Sequence, residues 1–207
     1  FTASLRKLEP ATYVKRRQEL FDFISFDRSI HEFVRDLPGG TKQQVMLAAA
    51  LLHDPEIIFL DEPTAGVSPA SRNRFWLLIR KLSERGITVF VTTHHMDEAE
   101  QCDRIVLMQE GKIIAMGSPE MLKQETFPTP VLEFDPKGPV SFLEISAMKH
   151  HPIFLFFEPY GLKFHASIKS EAMWQEDKSE FEEKFTIRQI KPSLEDVFIQ
   201  RAERKVT

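Results

Sequence analysis

Apolar positions along the 207-residue chain fall into a few patterns, and each predicts an element. Ile57 to Leu60 is an unbroken apolar run that ends in two carboxylates, Asp61 and Glu62, and is stopped by Pro63. Such a run predicts a strand buried on both faces, as in the middle of a parallel sheet. Ile87 to Val91, β-branched and apolar, predicts a second buried strand. Between them Phe75, Leu78, Ile79 and Leu82 recur at i, i+3, i+4 and i+7, an amphipathic helix that Ser68 and Pro69 open and Gly86 stops. Strand, helix, strand of this kind makes one right-handed crossover unit. Ahead of it, Thr41 to His53 reads as a helix that is apolar nearly all round, hence buried, and ended by Asp54 and Pro55. From Ala11 to Phe26, Val14, Phe21 and Ile24 are spaced loosely as on an amphipathic helix.

Downstream, Met96 to Gln101 reads as a short acidic helix, and Arg104 to Met108, a turn at Glu110 and Gly111, and Ile113 to Met116 read as a β-hairpin. Ser118, Pro119 and Glu120 start a closing helix, and Phe127 to Pro130, with two prolines, forms a linker. Beyond it the pattern predicts strand 131–135, helix 140–150, strands 153–158 and 162–169 turned at Gly161, helix 179–185, strand 186–190 and helix 193–204, the last opened by a Ser193 and Asp196 capping box. Without the last helix the order is β-α-β-β-α-β, the ferredoxin-like pattern.

Composition narrows the function classes. A formal net charge of −4 argues against nucleic acid as the main partner, because phosphate backbones demand a basic face. No apolar run approaches the roughly 18 residues of a membrane span. A single cysteine, Cys102, excludes an internal disulfide and a multi-cysteine zinc site, and suits a reducing cytosol. The chain has no initiator Met and no signal-peptide pattern, so it is expected to begin inside a longer gene product.

The carboxyl end of a buried parallel strand is where a ligand sits, and that is where Asp61 and Glu62 stand. Adjacent carboxylates raise each other's pKa unless a cation or a proton shares the site. Phosphoryl-transfer chemistry supplies the cation: one carboxylate holds Mg²⁺ and the next orients or deprotonates an attacking water. The bland alternative, a strand ending in a turn rich in Asp, Glu and Pro, stands level on these residues alone. Leu37, Pro38, Gly39 and Gly40 precede a helix whose first amides can approach an anion, with a dipole contribution of about 0.3–2 kcal/mol, although any turn into a helix can carry Pro-Gly-Gly. Thr92, Thr93 and His94 follow the second strand, at the same sheet edge as Asp61 and Glu62. There an imidazole could donate to a phosphate oxygen, while a lone His after a strand is more often structural. The adjacent His150 and His151 point to different helix faces, which predicts solvated side chains and no metal.

In their order and spacing, LPGGTKQQ, IIFLDE, GVSP and TTH resemble the signature, Walker B, D-loop and switch-histidine segments of an ATP-binding cassette (ABC) nucleotide-binding domain. The resemblance covers roughly residues 1–128, and TTHHMDEAEQCDRI with PSLEDVFI looks like ATPase subunits of ABC-2 type exporters. It implies an α/β, P-loop-NTPase-like cassette portion, with a parallel sheet and a helical subdomain, followed by a small α+β ferredoxin-like domain. Residues 1–36 would then belong to the helical subdomain, 37–128 to the ATPase core and 129–207 to the accessory domain. By the same resemblance the helix entrance at Gly39 and Gly40 meets the γ-phosphate of ATP, Asp61 holds Mg²⁺ through water, Glu62 is the catalytic base, and His94 is the catalytic switch histidine that donates to a phosphate oxygen. Leu37, Pro38, Gly39, Gly40, Thr41 and Gln43 face an ATP held by the opposite subunit, and Ser68, in the D-loop, stands where the family's Asp helps couple the two sites. The implied cofactors are ATP and Mg²⁺, and the implied partners are a second ATPase subunit and an ABC-2 type membrane permease. The implied location is cytoplasmic, peripheral at the inner face of the membrane.

The chain departs from the family at Pro38 (usually Ser), Gln44 (usually Arg), Ser68 (usually Asp) and His95 (usually Tyr). No GxxxxGK[ST] occurs in the 207 residues; the single Gly-Lys pair, Gly111 and Lys112, is followed by Ile113. The P-loop and its Gln-containing loop are expected upstream of Phe1. Two functions follow, part of an exporter ATPase or an inactive module that docks to another cassette; a role in translation or DNA repair fits the acidic balance less well. In either case the open edge of the sheet is expected to be covered by a partner chain or a swapped dimer.

Overall fold

The computed structural model describes residues 9–203, which divide into two compact units between His94 and His95. Residues 1–8, read as the start of a helical subdomain, and residue 204, read as the end of the last helix, lie outside the described residues.

The first unit runs through α1 (Pro10–Phe23), a 3-10 turn (Val34–Asp36), α2 (Gly39–Leu51), β1 (Ile57–Asp61), α3 (Pro69–Glu84) and β2 (Thr88–Thr92). β1 and β2 pair in parallel, from Ile57 opposite Thr88 to Asp61 opposite Thr92, so strand, helix and strand form the crossover that the periodicity predicts. The α3 stripe of Phe75, Leu78, Ile79 and Leu82 is buried throughout. Ser68 caps the helix by accepting the Ser71 N–H at 3.3 Å, and Gly86, at a φ of 86°, turns the chain into β2.

Burial in this unit is more one-sided than the apolar runs predict. Phe59 is 75% exposed and Ile57 53%, so β1 is covered on the Ile58 face alone, and Phe90 is likewise exposed on β2. The reason is that, among the described residues, these strands pair only with each other and the helical cover reaches one face. In α2, Leu47, Ala48 and Leu51 are buried where the helix meets α1 and α3, while Met46 is 58% exposed, so the helix is not apolar-buried all round. Val14 also points outward; the buried residues of the first helical segment are Leu20 and Ile24.

The second unit opens with α4 (Met96–Ala99), the hairpin β3 (Ile105–Gln109) and β4 (Lys112–Gly117), and α5 (Pro119–Thr126). It continues through β5 (Val131–Pro136), α6 (Phe142–Lys149), β6 (Phe154–Tyr160), β7 (Lys163–Ile168), α7 (Glu171–Lys184), β8 (Phe185–Ile190) and α8 (Leu194–Glu203). The four later strands form an antiparallel sheet in the order β6-β7-β5-β8, the ferredoxin-like arrangement. Its helix between β7 and β8 begins at Glu171, well before the predicted 179, because a polar helix with only Trp174 and Phe181 buried has little periodicity to read. One sheet face carries Leu132, Phe134 and Phe157 against Trp174 and Phe181. The other carries Val131 and Phe156 against Leu194 and Val197 of α8, Leu122 of α5 and Ile105 and Leu107 of the hairpin. An irregularity between Phe154 and Phe156 puts these two residues on opposite faces, Phe154 with Phe157 on one and Phe156 on the other. The predicted linker has neither helix nor strand but is not loose: Phe127 packs on Phe156, and the Thr129 hydroxyl donates to the Ile168 carbonyl at 2.7 Å.

On the α8 face a buried polar cluster joins distant parts of this unit. His165 Nδ1 lies 2.8 Å from Asp196, whose other oxygen accepts the Ser193 N–H and hydroxyl at 2.7 Å as the predicted capping box, and Tyr160 stacks on the His165 ring. Glu133 accepts from Lys163 and Arg188. Burial alone would raise the Asp196 pKa, but the His165 and Ser193 hydrogen bonds outweigh it and hold the carboxyl below its ordinary value. A depressed carboxylate adds stability above its unfolded pKa of about 3.9 and loses it as pH falls through the folded value. Asp196→Asn is therefore expected to cost about 1–3 kcal/mol at neutral pH and to flatten the acid limb of stability below about pH 4. Urea midpoints followed by tryptophan fluorescence across that range measure both effects.

Candidate functional site

Parallel register brings the chemistry together at the carboxyl ends of β1 and β2. Asp61 and Thr92 are directly opposed, so their side chains share a face, and the Thr92 hydroxyl donates to Asp61 Oδ1. The next residue, Glu62, leaves the strand in the left-handed region at a φ of 45°, a conformation that costs a non-glycine residue about 1–3 kcal/mol. It is held there by its own N–H, shared between the Thr92 carbonyl at 3.1 Å and the Thr92 Oγ1 at 3.2 Å, and by its carbonyl, which accepts the Ala65 N–H. This backbone turn aims the Glu62 carboxylate at His94, whose Nδ1 lies 2.9 Å from Oε1 and 2.8 Å from Oε2. A carboxylate only accepts, so Nδ1 carries a proton, and the Nε2 role depends on the charge of the ring.

Asp61, Glu62 and His94, the residues read as metal-shell, base and switch histidine, are thus assembled at one edge. Sequence reasoning gives Thr92 no role, because only the strand register shows that it faces Asp61. The remaining candidates gather around the start of α2. Leu37 is a buried core residue, and Pro38 is the N-cap of α2 without a side-chain capping bond. Gly40 has a packing reason to be glycine: a Cβ there would lie 2.4 Å from Ser71 Oγ and 2.5 Å from Ser71 Cβ. At Gly39 the nearest atom to a Cβ would be 4.0 Å away, so its lack of a side chain is not demanded by packing. Ser68 donates to Ser71 Oγ at 3.1 Å, so Ser71 links Ser68 to the start of α2 at Gly40. Thr41, Gln43 and Gln44 are half-buried on the first turns of α2, and His95 is the N-cap of α4.

Among the described residues no group of three or more His, Cys, Asp or Glu side chains is placed to hold a metal ion. His150 Nδ1 lies 2.8 Å from the Ser146 carbonyl, and the His151 ring packs on Phe154 and Phe181, so His151 is a packing residue and not a solvated one. The group hydrogen-bonded to the Asp61 carboxylate is an oxygen, the Thr92 hydroxyl. That set fits Mg²⁺, which uses one or two carboxylates and fills its octahedron with water and phosphate oxygens.

A family model described as "AAA domain, putative AbiEii toxin, Type IV TA system" matches residues 11–98. "Probable multidrug ABC transporter ATP-binding protein YbhF" of Escherichia coli is 53% identical over 102 residues, covering 47% of this chain and 18% of that protein. "Nod factor export ATP-binding protein I" of Rhizobium meliloti is 31% identical over 213 residues, covering 100% of this chain and 59% of that protein. Among solved structures, cbiO1 from Clostridium perfringens, part of the ABC transporter complex cbiONQ, gives a TM-score of 0.51 at 28% identity, over 56% of this chain and 47% of that one. An ATP-binding subunit of an ABC transporter gives 0.51 at 26% identity, over 60% and 52%. With helices around a parallel strand pair, the fold is that of an ABC ATPase cassette, of the P-loop-NTPase class. The chain is homologous to the ATP-binding proteins of ABC transporters, and it spans less than two thirds of the length of these curated relatives.

Proposed function

We propose that the chain is part of an ATP-hydrolysing subunit of an ABC-type exporter, which powers transport through a separate membrane permease by nucleotide-driven dimerisation. The observation that carries this reading is the Glu62–His94 contact beside Asp61 at the end of a parallel strand pair. Asp61 would hold Mg²⁺ through water, and the ion, when bound, would supply positive charge to offset that of the phosphates. Glu62 takes the proton of the attacking water. His94 orients that carboxylate through Nδ1–H and, when charged, offers Nε2–H to a phosphate oxygen. Gly39, Gly40 and Thr41 bring the first amides of α2 to a nucleotide held by the opposite subunit, and Ser68 keeps that helix start in place through Ser71. Residues 37–128 serve as the cassette and 129–207 as an accessory domain, at the inner face of the membrane. Among the described residues no helix is long and apolar enough to cross a bilayer.

Gly39→Asp tests the trans arrangement. A side chain at Gly39 meets nothing closer than 4.0 Å, and a negative charge at a helix start favours the helix, so stability is expected to hold. With a P-loop-bearing cassette half supplied, Mg²⁺-ATP should dimerise the Glu62→Gln protein in sedimentation, and Gly39→Asp should abolish that association at unchanged melting temperature. Persistent ATP-dependent dimers in the Gly39→Asp protein contradict the arrangement. If ATP drives no association in either protein, the alternative role of a docking module gains.

A further inference from the structure

Thr92 touches both carboxylate residues of the candidate site. Its hydroxyl donates to Asp61 Oδ1, and the same oxygen accepts the Glu62 N–H at 3.2 Å. One proton and one lone pair of a single β-branched side chain are thereby used on two neighbouring residues with different tasks. The bond to Oδ1 fixes the Asp61 rotamer and leaves Oδ2 as the oxygen turned toward the water shell of a cation. The bond from the Glu62 N–H supports the left-handed turn, at a φ of 45°, that aims Glu62 at His94. Phe59 and Phe90 lie one step back on the same sheet face, with ring centroids 5.6 Å apart, so an apolar platform backs the hydroxyl. Threonine suits this position physically: its branched Cβ restricts χ1, which keeps the hydroxyl turned toward β1 without a large loss of side-chain entropy.

We infer that Thr92 is a positioning residue, which orients Asp61 toward a divalent cation and holds the Glu62 backbone in its catalytic turn. The inference deepens the hydrolase reading and rests on it, since it assigns the partner that sets the aim of the Asp61 and Glu62 carboxylates. It predicts that metal affinity depends on the hydroxyl and not on the shape of the side chain. Partners one bond removed from a metal typically govern affinity by about 10–100-fold.

The test uses the 207-residue chain and Mn²⁺ alone, with binding read from paramagnetic broadening of individual amide resonances and with no activity assay. The Asp61 and Glu62 amides are expected to broaden on Mn²⁺ addition. Thr92→Val, close in shape but without the hydroxyl, should raise the Mn²⁺ dissociation constant at these amides at least about 10-fold. Thr92→Ser should restore it, and the melting temperature of both variants should stay near that of the parent. In Thr92→Val the Glu62 amide should also exchange with solvent faster. Wild-type Mn²⁺ affinity in Thr92→Val overturns the inference while Asp61→Asn still abolishes binding, and the hydrolase reading then survives. Unchanged broadening in Asp61→Asn overturns both.

Discussion

With a P-loop-bearing cassette half supplied, Glu62→Gln is expected to slow phosphate release from Mg²⁺-ATP by about 10²–10⁴-fold, the usual cost of losing a general base. The substitution isolates the chemistry because the geometry can persist. The side-chain amide that replaces the carboxylate keeps a carbonyl oxygen to accept from His94 Nδ1–H, and the backbone bonds from the Glu62 N–H to Thr92 do not involve the side chain. On the proposed role of Glu62, what is lost is the basic oxygen that would take the proton from water, so nucleotide binding should persist while turnover falls. A fall in affinity with no change in turnover would instead mark Glu62 as a binding residue. His94→Ala provides a graded companion: it frees the Glu62 carboxylate from its 2.8 Å contact and should lower turnover less than Glu62→Gln does.

Phe134→Ala is expected to destabilise the second unit by about 3–5 kcal/mol, enough to threaten a domain whose total stability is about 5–15 kcal/mol. Phe134 is fully buried at the centre of an aromatic cluster, with its ring edge-to-face on Phe154, Phe157, Trp174, Phe181 and Phe185 at centroid distances of 5.5–6.1 Å. Truncation removes buried apolar area and five ring contacts together, and the surrounding rings cannot collapse into the gap without breaking their own pairings. The denaturant midpoint reports the loss, with Trp174, one of those rings, as the probe. Phe134→Leu should cost less because more of the volume is kept. A midpoint within error of the parent for Phe134→Ala would show that the cluster is not what holds this unit together.

Both substitutions concern features that the sequence discloses unequally. The α3 stripe, the hairpin turn at Glu110 and Gly111, the Ser118 and Ser193 caps and the ferredoxin-like order are legible because they rest on local periodicity and turn chemistry. The left-handed φ values of 50° and 73° at Glu110 and Gly111 are what the paired turn residues require. Burial of β1 is not legible in the same way. An apolar run reports that both faces are apolar, but what covers each face depends on neighbours outside the local pattern, and here Phe59 and Phe90 stay exposed. Asp61, Glu62 and His94 are found from motif spacing, and their shared edge follows from the crossover. Thr92 and the His165–Asp196 cluster escape a sequence reading because register and packing, which no local window contains, bring those residues to their partners. Gly40 illustrates the reverse case: a motif glycine read for its amide also has a steric duty against Ser71.

The division of labour between this chain and a phosphate cradle is tested most directly by phosphate release from Mg²⁺-ATP, measured for the 207-residue chain alone and with a P-loop-bearing cassette half supplied. Background release is expected for the chain alone, and Mg²⁺-dependent turnover on complementation that Glu62→Gln removes. Turnover by the complemented protein that Glu62→Gln leaves intact would contradict the assignment of this edge as the hydrolytic site.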